Sequence, residues 1–209
     1  MSTVRLIELP PSPNCIAVRL AAGYKNIPLD RVSILGVPDR STVIEATGQP
    51  FTPAIQHGDV KLYDSGAILR YLDANFDGPR LYAEDYDEMR ELERLEAYAK
   101  NNVGAGIGPL FGLMLGRHND TNAPAEASKA LQDATAEIEQ RLADKPFLCG
   151  DAPLAPDFVM ACRAWYGMVP EDKAPAESVE AFFREHLFLG EGRDRVRAWV
   201  ERCMAFDRA

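Results

Sequence analysis

Cysteine is scarce, and none of it is arranged for a redox pair or a metal. The four cysteines, at 15, 149, 162 and 203, form no CxxC and no metal-ligand spacing. The expectation is therefore free thiols in a reducing cytoplasm, not a disulfide framework. Histidine is rarer still: His57, His118 and His186 make no metal set, and no metal is expected. An excess of positive charge is also missing. Lys and Arg total 23 against 32 Asp and Glu, a net charge of −9. That argues against nucleic acid and membrane surfaces as partners, since both demand a basic patch. No run approaches the roughly 18 to 20 apolar residues of a membrane span. The opening "MSTVRLIELPP" has too short an apolar segment for a secretory signal. Internal repeats and low-complexity segments are absent.

What is present is a globular composition, 46% hydrophobic and 26% charged over 209 residues. The pattern changes near residue 80. Before it, short strand-like runs alternate with short helical ones. Val4 to Leu9 reads as a buried strand and Cys15 to Ala22 as a helix, ended by Gly23 in the usual C-terminal glycine position. Leu29 to Ile34 is a second strand, which completes a βαβ unit with parallel strands. Ser41 to Ala46 is a short helix closed by Gly48. Thr52 to Gln56 and Val60 to Tyr63 form a hairpin around His57-Gly58-Asp59. Ser65 to Phe76 is a helix with Ile68, Leu69, Leu72 and Phe76 on one face.

After the linker "DGPR" nearly everything has helical period. A long helix steps through Leu92, Leu95, Ala99 and Val103, and is expected to kink or break at Pro109. Ala127 to Leu142 makes another. "DFVMACRAWYGM" is apolar all round, the mark of a buried central helix. Two more helices centre on Phe182 and Trp199. The residues alone thus give a small α/β domain over 1–78 and an all-helical domain over 84–209.

Several short stretches carry candidate chemistry. In "PPSPNCIAVRLAAG", Ser12 and Cys15 lie where a strand meets a helix N-terminus, where outward N–H groups favour an anion such as a thiolate. A serine hydroxyl there can hydrogen-bond a bound thiolate and lower its pKa. The plain alternative is a turn serine and a core cysteine. Thr52-Pro53 opens a strand, where proline is restricted because it cannot donate a ladder bond. Asp64-Ser65 opens a helix, either as an ordinary N-cap or as a site for a carboxylate and an ammonium group. In "GDAPLAPDF", Pro156 and Asp157 suit the first turn of the buried helix.

In order and content these pieces resemble the cytosolic glutathione S-transferase family. "SPNCIAVRLAA" resembles its strand-to-first-helix site. "TPAIQHGDVKLYDSGAILRYLD" resembles its stretch of cis-proline, hairpin, acidic-Ser pair and third helix. "GDAPLAPD" resembles its folding signature, and "VRAWVERCMA" its last helix. The likeness runs over nearly the whole chain, and residues 52–73 carry its most specific part. It implies a thioredoxin-like domain, an all-α domain and a homodimer, with glutathione as co-substrate. It further implies that Ser12 faces the glutathione sulfur and that Thr52, with Pro53 cis, bonds the cysteinyl backbone. Asp64 and Ser65 would hold the γ-glutamyl end. With no tyrosine near the end of the first strand, the site is not the tyrosine type.

Three departures stand out. Pro50 and Phe51 separate Gln49 from Thr52, which leaves open whether Gln49 binds glutathione. Leu154 replaces the Ser or Thr of the folding signature and so removes one side-chain cap. Cys15 sits at a second-cysteine position. The resulting expectation is an activated glutathione thiol attacking a small apolar electrophile, a cytoplasmic detoxification chemistry. Phe111, Met114 and Leu115 are candidate pocket residues between the domains, or equally core. The alternatives are a glutathione-dependent thiol reductase using Cys15, and a non-catalytic binding module on the same scaffold.

Overall fold

The bounded apolar run near the start of the chain becomes the strand β1, Val4–Glu8. The structure, a computed structural model, describes residues 3–35 and 40–208. After β1 come the helix α1 (Pro13–Tyr24), the strand β2 (Leu29–Ser33) and the short helix α2 (Ser41–Thr47). Strands β3 (Ala54–His57) and β4 (Val60–Tyr63) and the helix α3 (Ser65–Asn75) follow. The sheet order is β2-β1-β3-β4, with β2 parallel to β1 and the β3–β4 hairpin antiparallel to it. Alternation along β1 aims Leu6 and Ile7 at opposite faces. Leu6 joins a core with Val18 and Ala22 of α1 and Ile68 and Leu72 of α3, while Ile7 joins Val43 and Ala46 of α2. This is the thioredoxin-like arrangement, with two helices on one face of the sheet and one on the other.

Two local expectations are corrected here. The strand expected from Thr52 begins at Ala54, after a Thr52–Pro53 peptide bond that is cis. Gly23 does not end α1; it lies inside the helix, and Asn26 at φ +57° takes the left-handed position beyond it. A Cβ at Gly23 would sit 1.9 Å from the carbonyl oxygen of Phe206, so only glycine fits. The described residues fall into two compact units, and residues 205–208 group with the first, which is otherwise drawn from 1–83.

Charge is buried in this first unit. Glu8, 1% exposed, accepts from Arg19 (2.6 Å) and from Arg31 (2.6 Å). The Arg19 guanidinium also makes a two-pronged pair with Asp207, Nε to Oδ1 at 2.9 Å and Nη2 to Oδ2 at 2.8 Å. Burial acts to lower the Arg19 pKa, but the Asp207 and Glu8 carboxylates outweigh it and push it up.

The second unit, residues 84–204, is helical. It comprises α4 (Tyr86–Tyr98), α5 (Ile107–Met114), α6 (Ala123–Arg141), α7 (Ala155–Ala164), α8 (Val179–His186) and α9 (Asp194–Met204). All ten residues of α7 are buried, as its all-round apolar sequence predicts. The long helix expected to kink or break at Pro109 is instead interrupted upstream, by a π-helical turn at Ala99–Val103. Pro109 then falls in the first turn of α5, where its missing N–H would have been unsatisfied in any case. At the start of α7 the Asp157 carboxylate accepts from the N–H groups of Leu148 (2.9 Å) and Leu154 (3.0 Å) and from Trp199 Nε1 (2.8 Å). Leu154 offers no side-chain acceptor in return, so only half of a capping box exists.

Candidate functional site

Sheet register brings three of the singled-out stretches together. Ile7 pairs with Ala54, and Ala54 pairs with Tyr63. The chain leaving β1 toward Ser12, the chain entering β3 through Thr52–Pro53, and the chain leaving β4 at Asp64–Ser65 therefore share one end of the sheet. The N-termini of α1 and α3 open at that same end. Two positive helix ends in one place suit a ligand with two anionic groups.

Ser12 is the N-cap residue of α1 through its backbone alone. Its carbonyl accepts from the N–H groups of Cys15 (3.0 Å) and Ile16 (2.9 Å), and its own N–H donates to Leu9 (2.8 Å). The half-buried hydroxyl makes no capping bond. Pro13 begins the helix, where a proline leaves no N–H to be capped.

Cys15, one turn on, is fully buried. Burial pushes its thiol up to about 11, against smaller lowering effects from the Leu9 backbone and the Ser12 and Thr52 side chains. Those effects place Ser12 and Thr52 around one sulfur. They also mean that at neutral pH only about one Cys15 thiol in ten thousand is ionised.

Thr52 is half-buried, and neither its N–H nor its C=O is hydrogen-bonded to another backbone group among the described residues. Gln49 is occupied by its own loop. Its amide donates to Thr47 (2.8 Å) and to the Phe51 carbonyl (3.1 Å), and its Oε1 accepts from the Phe51 N–H (2.6 Å). The Pro50-Phe51 departure is thus accommodated by a side-chain brace, which leaves Phe51 67% exposed.

Asp64 holds φ +72°, a strained value for a residue with a Cβ. Its Oδ1 caps α3 by accepting from Gly66 (2.9 Å) and Ala67 (3.1 Å). Ser65 is 4% exposed, and its hydroxyl has no hydrogen-bond partner among the described residues. In the second unit, Phe111 is half-buried and packs edge-on against the buried Phe183 at 5.0 Å. Met114 is half-buried and Leu115 is 54% exposed.

Sequence reasoning missed Glu8 and Arg19, which brace the turn: Arg19 Nη1 also donates to the Pro10 carbonyl at 3.1 Å. A signal was present, since each is a lone charge inside an apolar run, "LIEL" and "CIAVRLAA". Among the described residues no helix is long and apolar enough to cross a membrane, and no group of three His, Cys, Asp or Glu could hold a metal.

Residues 6–80 match the family model of the glutathione S-transferase N-terminal domain. Glutathione S-transferase L1 of Arabidopsis thaliana is 25% identical over 184 residues, covering 85% of this chain and 65% of that protein. Protein IN2-1 homolog A of rice is 27% identical over 106 residues, 51% of this chain and 40% of that protein. The chain thus spans less than two thirds of either curated relative. A glutathione S-transferase domain-containing protein of Marinobacter aquaeolei has the same fold, with a TM-score of 0.74 at 20% identity over 98% of this chain and 100% of that one. So does a glutathione S-transferase of Methylobacterium radiotolerans in complex with glutathione sulfonate, with a TM-score of 0.71 at 20% identity over 98% and 91%.

Proposed function

We propose that the protein is a glutathione transferase of the serine type, which activates the glutathione thiol for attack on a small apolar electrophile. The observation that carries this reading is the place of Ser12: it is the N-cap residue of α1, half-buried, with a hydroxyl that is not spent on capping the helix. There it donates a hydrogen bond to the glutathione sulfur and favours its thiolate, aided by the positive end of α1. The open N–H and C=O of Thr52 pair with the backbone of the cysteinyl residue. The Ser65 hydroxyl and the N-terminus of α3 receive the γ-glutamyl carboxylate, and Asp64 faces its ammonium group. Gln49 acts at one remove, by shaping the loop that presents Thr52. The same reading makes the protein a cytoplasmic homodimer. A thiol reductase using Cys15 is disfavoured, because a fully buried thiol with a pKa near 11 is neither reachable nor ionised.

The test has two parts. Wild-type protein should be retained on immobilised glutathione and eluted by free glutathione. Ser12→Ala should bind similarly but turn over an aryl halide one to a few powers of ten more slowly. One hydrogen bond to a charged group is worth about 1.5 to 3 kcal/mol. Loss of activity in Cys15→Ala, with a wild-type rate and pH profile in Ser12→Ala, would overturn the assignment.

A further inference from the structure

We propose that Asp207, acting through Arg19, is a positioning residue for Ser12; this rests on the reading of Ser12 as the thiolate donor. Arg19 lies mid-way along α1 and is 8% exposed. Its Nε and Nη2 are held by the two oxygens of Asp207, at 2.9 and 2.8 Å. That fork fixes the plane of the guanidinium, because both prongs must be satisfied together. With the plane fixed, Nη1 reaches Glu8 Oε2 (2.6 Å) and the Pro10 carbonyl (3.1 Å). Glu8 is the last residue of β1, and Pro10 stands two residues before Ser12. The turn between strand and helix is therefore gripped from behind by one arginine, whose orientation is set by a carboxylate from far along the chain.

Segment 205–208 is seated on α1 by more than this pair. The Phe206 ring packs edge-on against Tyr24 at 5.0 Å, and Arg208 Nη1 donates to Asn26 Oδ1 at 2.6 Å. The Phe206 carbonyl occupies the space that Gly23 leaves by lacking a Cβ. Removing the Asp207 charge leaves Arg19 and Arg31 both facing the single carboxylate of Glu8. Arg19 is then free to turn away, and the Pro10 carbonyl loses its donor. The consequence falls on the direction of the Ser12 hydroxyl, and so on the ionisation of the thiol it serves, more than on the groups that hold the rest of glutathione.

The experiment compares wild type, Asp207→Asn, Asp207→Glu and Ser12→Ala by two readouts. The first is amide hydrogen exchange of residues 9–16, which needs no ligand. The second is the pH profile of aryl-halide conjugation, with kcat and KM for glutathione separated. Asp207→Asn should speed exchange at 9–16 by at least several-fold. It should lower kcat roughly five- to twenty-fold, move the pH profile upward, and leave KM within about two-fold. Asp207→Glu should restore much of both. If exchange at 9–16 in Asp207→Asn equals wild type, or only thermal stability falls while the pH profile stays put, the positioning role is wrong. If Ser12→Ala keeps the wild-type profile, the serine assignment fails, and the exchange readout still decides whether Asp207 holds the turn.

Discussion

Burial is the largest influence on the Cys15 thiol, and it keeps the proton on. Ser12, three residues earlier, is half-buried with a hydroxyl that caps nothing. The two side chains are close in sequence and opposite in availability, which a motif read as letters does not distinguish. Accessibility makes a direct prediction. Iodoacetamide at neutral pH should modify Cys149 first, since it is the half-exposed cysteine, while Cys15, Cys162 and Cys203 wait for unfolding. Peptide mass mapping of the alkylated protein reads this out. Fast labelling of Cys15 in the folded state would return the thiol-reductase reading to contention.

Helix rules judge Gly23 and Asp157 differently from what their surroundings require. Alanine is favoured over glycine inside a helix by about 1 kcal/mol, so propensity predicts that Gly23→Ala stabilises α1. The Phe206 carbonyl reverses the sign: a methyl group there displaces the 205–208 segment, and thermal unfolding should show a lower midpoint. Asp157→Ala orphans the buried Leu148 N–H, the partly buried Leu154 N–H and the buried Trp199 indole N–H. At about 1 kcal/mol or more for each stranded donor, a loss of at least about 3 kcal/mol in urea unfolding is expected. These elements also mark where the sequence was legible. Val4–Glu8, α3 and the all-apolar α7 follow from local periodicity, and the Ser12, Thr52 and Asp64 stretches follow from position relative to strand and helix ends. Gly23 was misread because its cause is tertiary, a carbonyl contributed from residue 206. The interruption at Ala99–Val103 was missed because a π turn has no residue signature, whereas Pro109 attracted a break that a first-turn position does not need. Arg19 and Glu8 were passed over because apolar neighbours outweighed a single charge in each pattern.

Both units hold thiols that resist ionisation: Cys15 in the first, Cys149 and Cys203 in the second. Burial is the main cause in each case. For such a group the folded state keeps its proton more tightly than the unfolded state. Its contribution is fully present below the ordinary thiol value of 9.0 and is lost as pH rises through the folded value, about 11 for Cys15. Urea midpoints should therefore be insensitive to these thiols up to about pH 9 and fall beyond it. The Cys15 share is about 2 to 3 kcal/mol, from a rise of about two pKa units. Cys15→Ala should show a shallower alkaline decline than wild type; an identical decline would refute the assignment to that thiol.

The pairing of Arg19 with Asp207 joins residues 188 positions apart. A ribosome adding about 5 to 20 residues each second makes Arg19 roughly ten to forty seconds before the carboxylate that fixes it. Through that interval the sheet and α1 can form, but the turn bearing Ser12 lacks its rear brace. The unit that is born first is thus completed after the unit born second. A nascent chain released before residue 207 would carry the sheet and α1 with the turn at Ser12 lacking the Arg19–Asp207 pair.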